Sequence, residues 1–321
     1  MTISLGLLGI VYPDGFVETG YYASTKRAIF GYGGLDSFGA YANLTNHVNN
    51  IGLVSADVTG VGTARTVLAA AGYGGDKAIF GYGNTSPTSG NPQNMTNLVS
   101  NIGVVSTDVT GVGTTRYTLA AASYGYDKAI FGYGCRPVAQ SMTNLVSNTG
   151  VVSADVTGVG TIRKALAAAG YGFDKALFGY GVLDDNSTQV SITSLVSNTG
   201  VVATDTTGVG TARSYLAAAG YGGDKAIFGY GLNGPSSTYY SITNLVSNTG
   251  VVAMDTTGVG TARYGTAASN YGGDKVIFGY GSSPSFSVSV TNLVSNTGVV
   301  SADVTGVGTA RNGLAAAGYG A

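Results

Sequence analysis

The chain has no tryptophan, a single cysteine (Cys135) and a single histidine (His47) in 321 residues. One cysteine excludes an intramolecular disulfide framework and any cysteine-based zinc cluster, and Cys135 reads as a spare thiol in a loop. One histidine leaves no Ser-His-Asp, Cys-His or multi-histidine constellation that avoids His47, so enzyme chemistry and a resident cofactor are not expected. Charge is sparse as well: 10% of residues, fifteen basic against sixteen acidic, net −1, with no basic block. That distribution lacks the electrostatic footprint of a nucleic-acid binder. No apolar run reaches the ~18 residues of a membrane helix, so membrane insertion is not expected. The opening MTISLGLLGIVYPDG has neither a basic start nor a small-residue cleavage site, and a secretory signal is not expected either.

What the chain does have is glycine, 53 residues of it, at fixed places in a repeat. Residues 213–231, RSYLAAAGYGGDKAIFGYG, differ from residues 65–83 only at positions 214 and 215. The text recurs at 116–134, 163–181 and 263–281, and a truncated copy ends the chain. Arg65, Arg116, Arg163, Arg213, Arg263 and Arg311 mark the register at intervals of 51, 47, 50, 50 and 48 residues. A period near 50 means one supersecondary unit copied along the chain, and six units can be counted.

Each unit resolves into four short strand candidates, in the fifth copy 214–221, 225–231, 242–248 and 251–259. Small, β-branched and aromatic residues in runs this short, punctuated by Gly and Asn, read as strands. Gly-Gly-Asp (222–224) and Asn-Thr-Gly (248–250) supply tight turns, with Gly and Asn expected at positive φ. Four antiparallel strands per ~50 residues is the size of a propeller blade. The expected fold is therefore all-β, a six-bladed β-propeller of four-stranded antiparallel blades over residues 26–321. The Ala-Ala-Ala run suits an innermost strand. The repeat starts at strand two and stops after strand one, so residues 313–319 are expected to join 27–62 and close the ring. Residues 1–25 stand outside the repeat as an N-terminal arm, with Ile3, Leu5, Leu7, Leu8, Ile10 and Val11 expected to form an extra strand or dock on a neighbouring subunit.

The order Arg, small-apolar strand, Gly-Gly-Asp-Lys turn, Ala-Ile-Phe-Gly-Tyr-Gly strand, variable loop and two further strands resembles the kelch repeat across residues 26–320. It departs from that pattern in having Gly-Tyr-Gly where kelch repeats end strand two with a glycine pair, and in lacking a strand-four tryptophan. The DKAIFGYG and TNLVSNTGVV units also resemble repeats in structural proteins of tailed bacteriophages, marine ones especially. That resemblance implies a non-enzymatic virion component assembled in the host cytoplasm, whose partners are other virion proteins or a host-surface glycan.

GVGTAR and GYGGDK look superficially like phosphate-cradling loops. Such loops need a helix to follow, and here strands follow, so they read as structural turns. Asp57, Asp108, Asp155, Asp205, Asp255 and Asp303 each stand eight residues before an Arg of the register. The two sets could make an axial metal or anion site. The stronger expectation is that the pairs tie blade to blade, because a buried Arg fork matches a carboxylate.

The copies differ mainly in the loop between strands two and three and in the two residues after each Arg. Up-and-down strand order puts both on one face. Free drift of loops explains such variation; contact with an asymmetric partner is the competing reading. Tyr117, Arg136, Lys164, Tyr215, Tyr239 and Tyr264 are the candidate partner-binding residues, being of types enriched at interfaces. The alternative function is a multivalent lectin with repeated shallow sites between blades.

Overall fold

The computed structural model describes residues 26–35, 39–86 and 90–320, together with the backbone of three short strands, Ser4–Gly6, Gly9–Val11 and Val17–Glu18. Those three strands form a small antiparallel sheet. The expected docking of the arm's apolar side chains falls outside the described residues. Among the described residues there are strands and no helix.

The second strand of each unit explains the architecture best. In Lys77–Gly81 the residues Ala78, Ile79 and Phe80 are all fully buried, although successive side chains of a strand point to opposite faces. A strand buried on both sides must be covered twice. Ala78 and Phe80 pack against the preceding unit and Ile79 against the following one. Ala69, Ala71, Tyr73 and Ile79 pack against Leu119, Ala129, Phe131 and Val146 of the next unit, and equivalent apolar clusters recur between the other units. Each fully buried Ile or Phe contributes roughly 1.5–3 kcal/mol. The glycine that ends the second strand is required by the same packing, because a Cβ on Gly81 would lie 2.7 Å from Phe131 Cζ.

Six small antiparallel sheets of three or four strands follow from this unit. In the fifth, Ala217–Tyr221 pairs with Lys225–Gly229, which pairs with Thr243–Val246. The corresponding second strands elsewhere are Arg27–Gly31, Lys77–Gly81, Lys128–Gly132, Lys175–Gly179 and Lys275–Gly279. The C-terminal Ala315–Tyr319 pairs antiparallel with Arg27–Gly31, nearly the full length of the chain away. Each first strand also packs against the first strand of the next unit, and Ala315–Tyr319 packs against Ala69–Tyr73.

Several boundaries differ from the sequence expectation. Strand two ends at Gly229, because Tyr230 and Gly231 both have positive φ (65° and 103°) and turn the chain. Strand one begins at Ala217 because Tyr215 is left-handed at φ 53°. Strand four is continuous only at Val202–Thr206; in the other units it touches strand three through two isolated bridges, such as Thr143↔Val156 and Val146↔Val152. Three residue steps on one strand face four on the other, so an extra residue bulges out of the ladder. In the Asn-Thr-Gly turns only the glycine, Gly250 for example at φ 84°, is left-handed.

Candidate functional site

The arginines and aspartates that mark the repeat are structural partners, but not in the pairing the eight-residue spacing suggests. Each aspartate meets the arginine of the preceding copy: Asp57 with Arg311, Asp108 with Arg65, Asp155 with Arg116, Asp205 with Arg163, Asp255 with Arg213 and Asp303 with Arg263, at 3.2–3.9 Å. Topology is the reason. The segment carrying the arginine crosses from one sheet to the next and lands on the outer edge of the sheet it enters. There Asp108 accepts from Thr63 N (3.0 Å), Thr63 Oγ1 (2.7 Å) and Asn97 Nδ2 (2.9 Å), and Arg65 Nη2 donates to Asn97 Oδ1 (2.6 Å). All six guanidinium groups are fully buried, each 4.2–4.9 Å from the centroid of the tyrosine that follows strand two in the preceding sheet. Burial by itself would raise the Asp108 pKa. The hydrogen bonds from Thr63 and Asn97 and the Arg65 charge outweigh it and hold the carboxyl below its usual 3.8. Among the described residues no three His, Cys, Asp or Glu side chains converge as metal ligands.

The two variable positions after each arginine separate into different roles. The second, at Val67, Thr118, Ala165, Tyr215, Gly265 and Gly313, is left-handed in every unit, with φ between 49° and 60°. Its backbone N–H donates to the carbonyl of the same position one unit back: Thr118 to Val67, Ala165 to Thr118, Tyr215 to Ala165, Gly265 to Tyr215, Gly313 to Gly265 and Val67 to Gly313, at 2.7–2.9 Å. These residues and the buried Leu68, Leu119, Leu166, Leu216 and Leu314 frame a narrow well of about 70 Å³. The first position bridges to the start of the strand two-to-three loop, as Tyr117 does to Cys135 and Lys164 to Val182.

On this face the non-repeated side chains form one neighbourhood. The rings of Tyr215 and Tyr264 are 5.9 Å apart and those of Tyr264 and Tyr239 5.5 Å apart. Lys164 Nζ lies 3.9 Å from Cys135 Sγ, which itself donates to the Pro137 carbonyl at 3.0 Å. Burial, and next a hydrogen bond with Cys135, push the Tyr117 hydroxyl up to about 12. Arg136 stands exposed on the hairpin formed by Cys135–Arg136 and Val138–Ala139. Tyr117, Lys164, Tyr215, Tyr239 and Tyr264 are half-buried. Cys135 is a free thiol in the loop between strands two and three, as expected, and it is buried at the head of that hairpin. The lone His47 occupies the place taken by Leu98, Leu145, Leu195, Leu245 and Leu293 in the other copies, and its Nδ1 is 2.8 Å from Tyr319 Oη.

At the other end of the first strands, residues from all six units line a second well of about 180 Å³. Its wall is mostly Ala and Gly. The position that is glycine at 72, 170, 220 and 318 is Ser123 in one copy and Asn270 in another. Two further departures sit at its mouth. Where three Gly-Gly-Asp-Lys turns carry Gly75, Gly223 and Gly273, two carry Tyr126 and Phe173, both at φ 69° and 76% and 70% exposed. A left-handed non-glycine residue costs ~1–2 kcal/mol. The differences singled out among the copies, in the loop between strands two and three and in the pair after each Arg, leave these positions out; the second glycine of the turn is the signal that marks them.

No protein-family model matches the chain, and no curated protein sequence matches it.

Proposed function

We propose that the six sheets are blades of a closed six-bladed, kelch-like β-propeller acting as a non-enzymatic scaffold that presents one asymmetric face to a protein partner. Support for closure comes from contacts that return to their start. The C-terminal strand pairs with Arg27–Gly31, the left-handed residues after the arginines donate in an unbroken circle, and Asp57 takes Thr309 and Arg311 as the other aspartates take theirs. The observation that carries the functional reading is the split between repeated and unrepeated side chains. The repeated charges are absorbed by the Asp–Asn–Arg–Tyr network, with its arginines fully buried and its aspartates at the rim, whereas Tyr264 meets both Tyr215 and Tyr239, ring contacts with no equivalent among the other described units. Rigid, partly exposed tyrosines with a basic residue nearby are the residue types that anchor protein interfaces. A virion, with its other structural proteins as partners, is the setting we propose on the resemblance of the repeat text alone.

Replacing Tyr117, Tyr215 and Tyr264 together by Ala should abolish co-purification with the partner that the native chain retains from its source particles or host lysate, while the melting temperature shifts only a few degrees. If the triple variant retains the same partner at the same yield, this face is not the binding surface. Mass spectrometry of purified particles tests the virion setting separately.

A further inference from the structure

The well opposite the variable face is not explained by scaffolding. In the Gly-Gly-Asp-Lys turns a Cβ added at Gly75 or Gly223 meets no atom within 4 Å, so the position opens onto free space. Tyr126 and Phe173 nevertheless place aromatic rings there, in adjacent units, on backbone conformations that suit glycine. Along the sequence of packed first strands Asn270 stands three units from Tyr126 and two from Phe173, at a position where four of the copies have glycine. Ser123 lies in the same unit as Tyr126 and donates to the Gly72 carbonyl at 2.8 Å. No charged side chain lines the well among the described residues; at the turns Lys77, Lys128, Lys175, Lys225 and Lys275 are paired with their neighbouring aspartates, and Lys26 donates to the Gly75 carbonyl.

A cleft with an aromatic wall on one side, a carboxamide on the other and no charge selects a neutral ligand with one apolar face and one hydroxyl-bearing edge. Its volume of about 180 Å³ is smaller than the ~300–1,000 Å³ of pockets that hold drug-sized molecules, so it suits a single ring. The geometry points to a binding site for one neutral pyranose residue, such as the terminal sugar of a glycan, with its C–H face on Tyr126 and Phe173 and a hydroxyl on Asn270. The site occurs once per chain, unlike repeated sites between sheets. It uses the end of the first strands away from Tyr215 and Tyr264, so it stands or falls separately from the protein-binding face.

The test titrates the full chain with the methyl glycosides of glucose, galactose, mannose and N-acetylglucosamine, using saturation-transfer NMR for contact and calorimetry for stoichiometry. At least one should bind at one site per chain, with saturation transfer reporting the ring's C–H face. The double variant Tyr126→Gly/Phe173→Gly, which restores the residue of the sister turns, should bind roughly tenfold or more weakly. Its melting temperature should equal or exceed that of the native chain, which separates loss of the site from loss of the fold. Asn270→Gly should weaken binding by a similar factor. The inference is overturned if none of the four glycosides binds at millimolar concentration, if several bind per chain, or if the double variant binds as the native chain does. It is overturned equally if p-cresol, standing in for a protein side chain, saturates the well while the glycosides do not.

Discussion

At the residue scale, the decisive groups are buried charges whose partners arrive from a different part of the chain. Asp155 accepts from Thr114 N, Thr114 Oγ1 and Asn144 Nδ2 and lies 3.4 Å from Arg116 Nη1. Arg116 is fully buried, and its Nε already lacks a hydrogen-bond partner. Asp155→Ala therefore leaves the buried Arg116 cation without its carboxylate, with Asn144 Oδ1 as its remaining side-chain acceptor, while the Thr114 donors turn to solvent. The expected loss is about 3 kcal/mol in a urea unfolding curve; a loss below about 1 kcal/mol would show the network to be ornamental. His47 makes a prediction in pH. Burial first, then the Arg27 charge, holds its imidazole below the ordinary 6.5. The folded chain thus keeps it neutral where the unfolded chain binds a proton. Its contribution is present above 6.5 and is lost as pH falls through 6.5 towards the folded value. The melting temperature should fall between about pH 7.5 and about pH 5, and His47→Leu, which installs the residue of the other five copies, should flatten that fall. An unchanged slope would assign the effect elsewhere. The aspartates of the network do not confuse this window, because their folded pKa values lie below 3.8.

At the element scale, the C-terminal strand has the largest consequences. Ala315–Tyr319 supplies the edge partner of Arg27–Gly31, and its Ala315, Ala317 and Tyr319 complete the apolar layer against Phe80 and Val99 of the next unit. Tyr319 also holds His47. Deleting residues 312–321 should expose both that layer and a row of unpaired backbone groups, lowering the melting temperature by ~10 °C or more. A truncated chain that melts with the full one would remove the case for closure through this strand. The fourth strands show how element assignment goes wrong. Their residues alternate as strands do, but the extra residue between Val152 and Val156 is invisible without the partner strand, since a bulge is a property of the pair.

At the scale of the whole molecule, the period near 50 and the strand-and-turn pattern within it were legible because each rests on local chemistry: Gly where φ must be positive, small residues where strands crowd, apolar runs where both faces are covered. The N-to-C pairing of Ala315–Tyr319 with Arg27–Gly31 was also legible, since a repeat that begins with strand two leaves one strand over. The candidate face was legible only in outline. Tyr117, Lys164, Tyr215, Tyr239, Tyr264 and Arg136 could be placed on one side by strand order, but the Tyr239–Tyr264–Tyr215 contacts and the burial of Cys135 depend on how three separate units approach. So do Tyr126 and Phe173, whose meaning comes from the well they overlook. The sequence by itself determined an all-β repeat with a leftover terminal strand, because periodicity and turn residues are written locally. The tertiary structure alone decided that each aspartate meets the arginine of the preceding copy, and that the Gly-Gly-Asp-Lys end of the first strands, whose turns looked uniform, holds two strained aromatics over a well. Those outcomes depend on the path of the crossover segments and on which copies come face to face, and neither is encoded in any single unit.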